Sequence, residues 1–395
     1  MAMVSEPEVS TRTGPFVPLL AVSLLTGTGY ALAFPFLSLF LVKELGASPF
    51  ATGAFLLSGA ASSLIVSTLI GRLSDARAIR RTIMITASVA GGVGYGLFAI
   101  LRNYWLLLVV SIALLSVASA LMPQLFAYAR LVLERAGSTR GPLAISTLRT
   151  MMSVSWVGGP PLAALLIDIS GFPGLFGSAA VICLLSAGVT AFFLPEPTAP
   201  EASTSTPTDT TGPRREIIFA AIAFTLLQGA TSVGVTAMPL YITDVLHGTT
   251  SDAGLVLGIC AALEIPLMLG FGALGMRIDL RKLVLSGGAV ALAYYTVMLT
   301  TTATWQVMAA QLLHATVISA VMGVGISYFQ DIAPDRPGYA TTLYTNTMKL
   351  SGMLAGPLLA VSAFFGYRSA YAIGLTMSAL GLVFLLAARR HNSQG

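Results

Sequence analysis

The sequence predicts an all-α integral membrane protein of twelve transmembrane helices in two six-helix halves related by a pseudo-twofold axis. Three observations carry that prediction. Of 395 residues 55% are hydrophobic and only 9% charged, and mean hydropathy is +0.84. Apolar runs of spanning length recur twelve times. Short motifs of the first half return at matching places in the second. At about 20 residues per span, twelve spans need roughly 240 residues and leave room for loops and tails.

A polar tail, 1–14, comes first. It carries Glu6 and Glu8 and lacks the basic region of a cleaved leader, so the first apolar run is expected to stay as a helix. Spans follow near 15–42, 50–71, 81–101, 104–128, 143–167 and 172–194, which makes 15–194 the N-terminal half. Pro195 to Arg215 is rich in Pro, Thr and Ser, has almost nothing to bury, and reads as a flexible cytoplasmic linker. The C-terminal half, 216–388, holds spans near 217–243, 252–275, 282–301, 304–329, 339–364 and 368–388 before a short tail, 389–395.

Orientation follows from the basic residues. With both termini cytoplasmic, the inner segments carry Arg12, Arg72, Arg77, Arg80, Arg81, Arg130, Arg135, Arg140, Arg214, Arg215, Arg277, Arg281, Lys282, Arg336, Arg389 and Arg390. Lys43, Arg102 and Arg368 are left outside, and Arg149 and Lys349 fall within spans. A pI near 9.3 therefore needs no nucleic-acid partner; the bilayer explains it. Cys183 and Cys260 lie in apolar runs, which argues against a disulfide framework or a Cys-rich metal site. The chain has no phosphate-binding loop, no H-E-x-x-H and no G-x-S-x-G, and His247, His314 and His391 are scattered, so no ATPase, metal centre, cofactor or catalytic activity is expected.

Gly71 to Asp75, followed by Arg77, Arg80 and Arg81, lies between spans two and three; Gly272 to Gly275, followed by Arg277, Arg281 and Lys282, lies between the second and third spans of the other half. Gly159-Pro160 in span five is echoed by Gly356-Pro357 in span eleven. The first of these loops resembles the G-x-x-x-D-R/K-x-G-R-R/K motif of the major facilitator superfamily: Gly71, Asp75, Arg80 and Arg81 match, while Ala76 and Ala78 depart from it. A narrower resemblance, to bacterial sugar efflux transporters, rests on Met122 to Ala127, on Arg149 ahead of Trp156 to Leu162, on Pro239 to Ile242, Leu263 to Pro266 and Tyr328 to Asp331, and on Ala340 to Asn346. It implies the major facilitator fold, a multi-pass protein of the cytoplasmic (inner) membrane, and export of sugars or sugar-like compounds by alternating access. Proton antiport and function as a monomer are expected. The alternatives are a multidrug exporter of the same fold and, from another class, a non-transporting membrane receptor or membrane enzyme.

A charge at the bilayer centre costs about 2.5–3.5 kcal/mol on insertion scales, so Arg149, Glu264 and Lys349 each require a partner or a wet cavity. Ser146, Arg149, Ser153 and Trp156 share one helical face, where a guanidinium fork suits hydroxyl oxygens and an indole covers the C–H face of a pyranose. Arg149 could equally brace the fold, through a carbonyl or through Glu264. Glu264 is the one acid well inside a span. A carboxyl that alternates between wet and dry surroundings can carry a proton, yet it can also accept sugar hydroxyls or form a permanent ion pair. Gln124, Gln228, Gln311, His314, Asn346 and Tyr30 complete the candidate substrate set, with helix-to-helix hydrogen bonding or packing as the alternative for each. Gly71, Asp75, Arg80, Arg81 and Arg130 form a candidate cytoplasmic gate, in which Asp75 pairs with Arg130 or faces the start of span eleven near Gly338. Gly158 to Pro161 is expected to bend span five, because two prolines remove two backbone donors.

Overall fold

The structure, a computed structural model, describes residues 16–76, 79–135, 141–196, 215–334 and 336–388, without the side chains of residues 75–76, 133–135, 141–146 and 337–338. Among the described residues every regular element is a helix. Helix α1 runs Phe16–Ala33 and, past a turn at 34–36, continues as Leu37–Lys43; α2 is Pro49–Ala76 and α3 Arg80–Ile100. Helix α4 opens as Tyr104–Val110, passes through a π-helical turn at Ser111–Leu115 and ends as Leu121–Arg135. Residues 141–170 form α5 and residues 172–193 form α6. The second half consists of α7 (Arg215–Leu240, with a π-turn at Tyr241–Val245), α8 (Thr250–Leu274), α9 (Leu280–Thr300), α10 (Thr304–Ile318, a π-turn at Ser319–Gly323, then Val324–Ile332), α11 (Pro337–Phe365) and α12 (Ser369–Ala387).

The count is twelve. The break between α5 and α6 is a single residue, Gly171, whose φ of 67° lies in the left-handed region that only glycine adopts without penalty. Pro173 then starts α6. The expected bend at Gly158 to Pro161 is not a break: backbone angles stay helical throughout that segment. Several helices outrun the apolar runs, because their polar ends extend past the bilayer core. One such extension corrects the sequence reading, since Gly71 to Asp75 is the last turn of α2 and not a loop.

Packing repeats between the halves. Helices α3 and α9 each start with an arginine that reaches a neighbouring helix end: Arg81 Nη2 donates to Ala191 O of α6, and Arg281 Nη2 donates at 3.1 Å to Leu385 O and Leu386 O of α12. A cation on the free carbonyls of a helix C-terminus satisfies them and opposes the helix dipole. The opposite ends are capped likewise. Arg102 binds the carbonyls of Phe98, Ala99 and Leu101 and stands over the Phe40 ring; Arg368 binds those of Leu299 and Thr301 and stands over Tyr241. Trp105 and Trp305 begin α4 and α10 at corresponding places, 71% and 68% exposed, as indoles at a membrane interface are.

Candidate functional site

The two halves meet along two helix pairs, α2 with α11 and α5 with α8. Glycine makes both crossings close. A Cβ on Gly53 would come within 2.6 Å of Ala360 Cβ and 2.9 Å of Gly356 O, and one on Gly356 within 2.7 Å of Gly53 O. At the other pair, a Cβ on Gly254 would lie 2.6 Å from Pro160 O, and one on Gly258 2.9 Å from Val157 O. Pro161 has no N–H, so it leaves the Val157 carbonyl without its helical donor, and that carbonyl is the one Gly258 packs upon. The Gly-Pro echo of the sequence thus marks the two symmetric seams between the halves.

Further contacts close the same end. Ser38 Oγ donates to Thr236 O at 2.7 Å, Ser251 Oγ donates to Asp168 Oδ2 at 2.6 Å, and Lys43 Nζ pairs with Asp244 Oδ1 at 2.6 Å. The Lys43 and Asp244 side chains are 48% and 25% exposed, so the pair contributes at most about 1 kcal/mol. A pair this weak would suit a latch between the halves. Lys43→Ala is expected to cost less than about 1 kcal/mol of stability while raising the access of water-soluble thiol reagents to a cysteine placed at Ser38. Unchanged labelling would remove the latch role.

Away from these seams the facing helices carry polar groups. On α5 the face of Arg149, Ser153 and Trp156 continues through Pro160 to Ala164, where it meets α8; on α11 the face of Asn346 and Lys349 continues to Gly356 and Ala360, where it meets α2. Arg149, Asn346 and Lys349 are exposed and Glu264 is half-buried. Arg149 stands eight residues from Val157, Glu264 six from Gly258 and Lys349 seven from Gly356, all on the same side of the crossings. At 1.5 Å per residue, the three charges lie about 9–12 Å below the seams, at nearly one depth. Among the described residues none of them is in an ion pair; the Arg149 guanidinium carbon stands 6.0 Å from the Phe126 ring and close enough to Tyr344 to interact with it electrostatically.

Tyr30 belongs to this cleft. It is 42% exposed although protein surrounds it, stacks on Phe34 at 4.9 Å and meets the edge of Trp156 at 5.9 Å. Phe34 was not foreseen from the sequence, although its i, i+4 spacing from Tyr30 was a signal. The ion pair and the Asp168–Ser251 bond leave no signal in the sequence, since their partners are far apart in the chain.

Other candidates lie elsewhere. Gln124 is buried near the gate residues, donating from Nε2 to Ser74 Oγ at 3.0 Å and accepting from Arg80 Nη1 at 3.3 Å, so it ties α4 to the turn between α2 and α3. Gln311 and His314 are 0% and 1% exposed, enclosed by α8, α9 and α10: the imidazole stacks on Tyr294 at 4.5 Å and lies 3.5 Å from Cys260 Sγ, and Gln311 Nε2 donates to Val307 O. Gln228 is buried too and accepts from Thr347 Oγ1 at 3.2 Å, between α7 and α11. Of the candidate gate residues, Gly71 faces open space, Arg80 and Arg81 hold Gln124 and α6, and Arg130 is exposed at the end of α4. The Asp75 side chain, and with it the pairing expected near Gly338, lies outside the described residues.

Twelve membrane-crossing helices, seamed at one end and polar between their halves below it, define a membrane transporter. The profile of the Major Facilitator Superfamily matches residues 19–274 and 220–395, and the chain belongs to that superfamily. It is 35% identical to sugar efflux transporter A of Dickeya chrysanthemi over 91% of this chain and 92% of that one. It is 36% identical to sugar efflux transporter B of Salmonella typhimurium over 91% of each. A multidrug resistance protein, MdtG of Proteus mirabilis, is 26% identical over 88% of this chain and 89% of its own length. Among solved structures, a peptide transporter POT superposes with a TM-score of 0.77 at 14% identity, covering 97% of this chain and 95% of that one. The nucleoside transporter NupG does so with 0.74 at 14% identity, covering 95% and 100%. These relatives are transporters and not enzymes.

Proposed function

We propose that the protein exports sugars or sugar-like compounds across the cytoplasmic membrane by alternating access, driven by proton antiport. The observation that carries this reading is likeness to sugar efflux transporters along nine-tenths of the chain, joined to a cleft face on which Arg149 and Trp156 stand two helical turns apart. The guanidinium donates to hydroxyl oxygens while the indole covers the apolar face of the ring. With both termini cytoplasmic, the seamed end is the outer one and the cleft faces the cell interior. Residues 15–194 and 216–388 then rock as halves about the two glycine crossings, joined by the linker 195–215. Asp75, Arg80, Arg81 and Arg130 form the inner gate of a monomeric transporter. Gln228, Gln311, His314 and Gln124 support the cleft from inside the bundles and reach substrate only if helices shift.

Uptake of labelled sugars into everted vesicles, with and without a protonophore, tests the whole reading: protonophore-sensitive uptake supports it, and no uptake of any sugar defeats it. Arg149→Lys keeps the charge and loses the planar fork, so sugar affinity is expected to fall about tenfold in a folded protein. Unchanged affinity by calorimetric titration would remove Arg149 from the ligand shell. A second reading, multidrug export, is favoured by the Tyr30, Phe34 and Trp156 cluster and by the MdtG likeness. Uptake of a lipophilic cation in the same vesicles, in place of sugar, would select it.

A further inference from the structure

We infer that the cleft is built for sugars carrying one negative charge, such as uronic acids, over neutral sugars of the same shape; this rests on the sugar-export reading and refines its substrate class. The cleft charges do not balance. Arg149 on α5 and Lys349 on α11 stand on opposite halves, and among the described residues Glu264 on α8 is the single acid at their depth. Among the described residues neither cation has an ion pair or a hydrogen-bonded side-chain partner. While the cleft is open, water screens the excess positive charge. When the halves close over a ligand that water is largely expelled, and two cations and one carboxylate remain in a space of low dielectric. One positive charge then lacks a counter-charge, and removing an unpaired charge from water is costly.

A monoanionic ligand supplies the missing charge, whereas a neutral sugar leaves the cost standing. The geometry also divides the work between the two cations. Arg149 shares its face with Ser153 and Trp156, a setting for a sugar ring. Lys349 shares its face with Asn346, across the cleft, where a compact ammonium on a flexible stem can follow a carboxylate through the closing movement. Lys349 is therefore the residue assigned to specificity. A dianion overcompensates the excess and confronts Glu264.

Trp156 provides the readout, because the chain has only three tryptophans and the other two, Trp105 and Trp305, stand at the far end, mostly exposed. The full-length protein carrying W105F and W305F, purified in detergent at low salt, is titrated with D-glucose, D-glucuronate and D-glucuronamide while Trp156 fluorescence is followed. Glucuronamide is the neutral isostere of the acid. The expected result is a Kd for glucuronate at least tenfold below those of glucose and glucuronamide, with the gap narrowing as salt rises. In Lys349→Gln the gap between glucuronate and its neutral counterparts closes, because the cost a neutral sugar meets with Lys349 present is gone. Equal affinities for glucuronate and glucuronamide in the protein with Lys349 intact overturn the inference, whatever the folding of the variant. A preference that survives Lys349→Gln overturns the assignment to Lys349. If glucose binds and glucuronate does not, the charge inference fails and the sugar reading stands; if no sugar binds, both fail.

Discussion

Glu264→Gln is expected to abolish accumulation of substrate against its gradient, by at least a hundredfold, while exchange down a gradient persists at a comparable rate. The carboxyl is half-buried on α8, about 9 Å below the Gly258 crossing, and among the described residues no other side chain is hydrogen-bonded to it. Its Cα position is braced by Ser319 Oγ, which donates to the Glu264 carbonyl at 3.4 Å from the π-turn of α10. Glutamine keeps the shape and the capacity to hydrogen-bond but cannot titrate. A proton carrier therefore loses coupling alone, whereas a plain sugar ligand loses both modes together. Counterflow and pH-jump-driven transport measured on the same proteoliposomes separate these outcomes. Intact proton-driven accumulation would place the coupling proton elsewhere.

Gly356→Ala is expected to reduce transport more than tenfold by holding the seam between α2 and α11 apart. The added methyl would lie 2.7 Å from Gly53 O, 2.9 Å from Leu56 Cβ and 3.0 Å from Leu57 N, and two of those atoms belong to backbone that cannot step aside. Closure at that end then carries a steric cost that the opposite conformation does not bear, so the population shifts toward opening there. Labelling of a cysteine at Ser38 by an impermeant maleimide should rise at least tenfold. The matching change at the second crossing, Gly254→Ala, meets Pro160 O at 2.6 Å and should act in the same direction. As a control, Gly352→Ala on the same helix meets no atom within 4 Å and should leave labelling and transport near normal.

Much of this architecture could be read from the chain because hydropathy reports burial in lipid directly, and because the Gly-Pro echo marks one helix of each seam between the halves. The faces of α5 and α11 were legible as well, since Arg149, Ser153 and Trp156, and likewise Asn346 and Lys349, keep helical spacing. Polar residues inside apolar helices were harder to place. Gln311 and His314 share a face at i, i+3 just as Asn346 and Lys349 do, yet one pair points into a bundle and the other into the cleft. Spacing sets which residues travel together, and only packing sets how the helix is rotated. Gln124 shows the same limit: an amide that reads as a sugar ligand bonds instead to Ser74 and Arg80, whose positions near it depend on a turn joining different helices. Gly53 is silent in the sequence because a lone glycine announces its use only when its partner across the seam, Gly356, is known.

The two exposed tryptophans set a frame of reference for all of this movement. Trp105 and Trp305 stand at the same end as the glycine seams, one on each half, where indoles settle into the headgroup layer. If the halves rock as proposed, parting the seams tilts α4 and α10 and carries both indoles through that layer. Under that proposal, acyl chains of different length change the strain on those moorings, and bilayer thickness would bear on how long each state lasts.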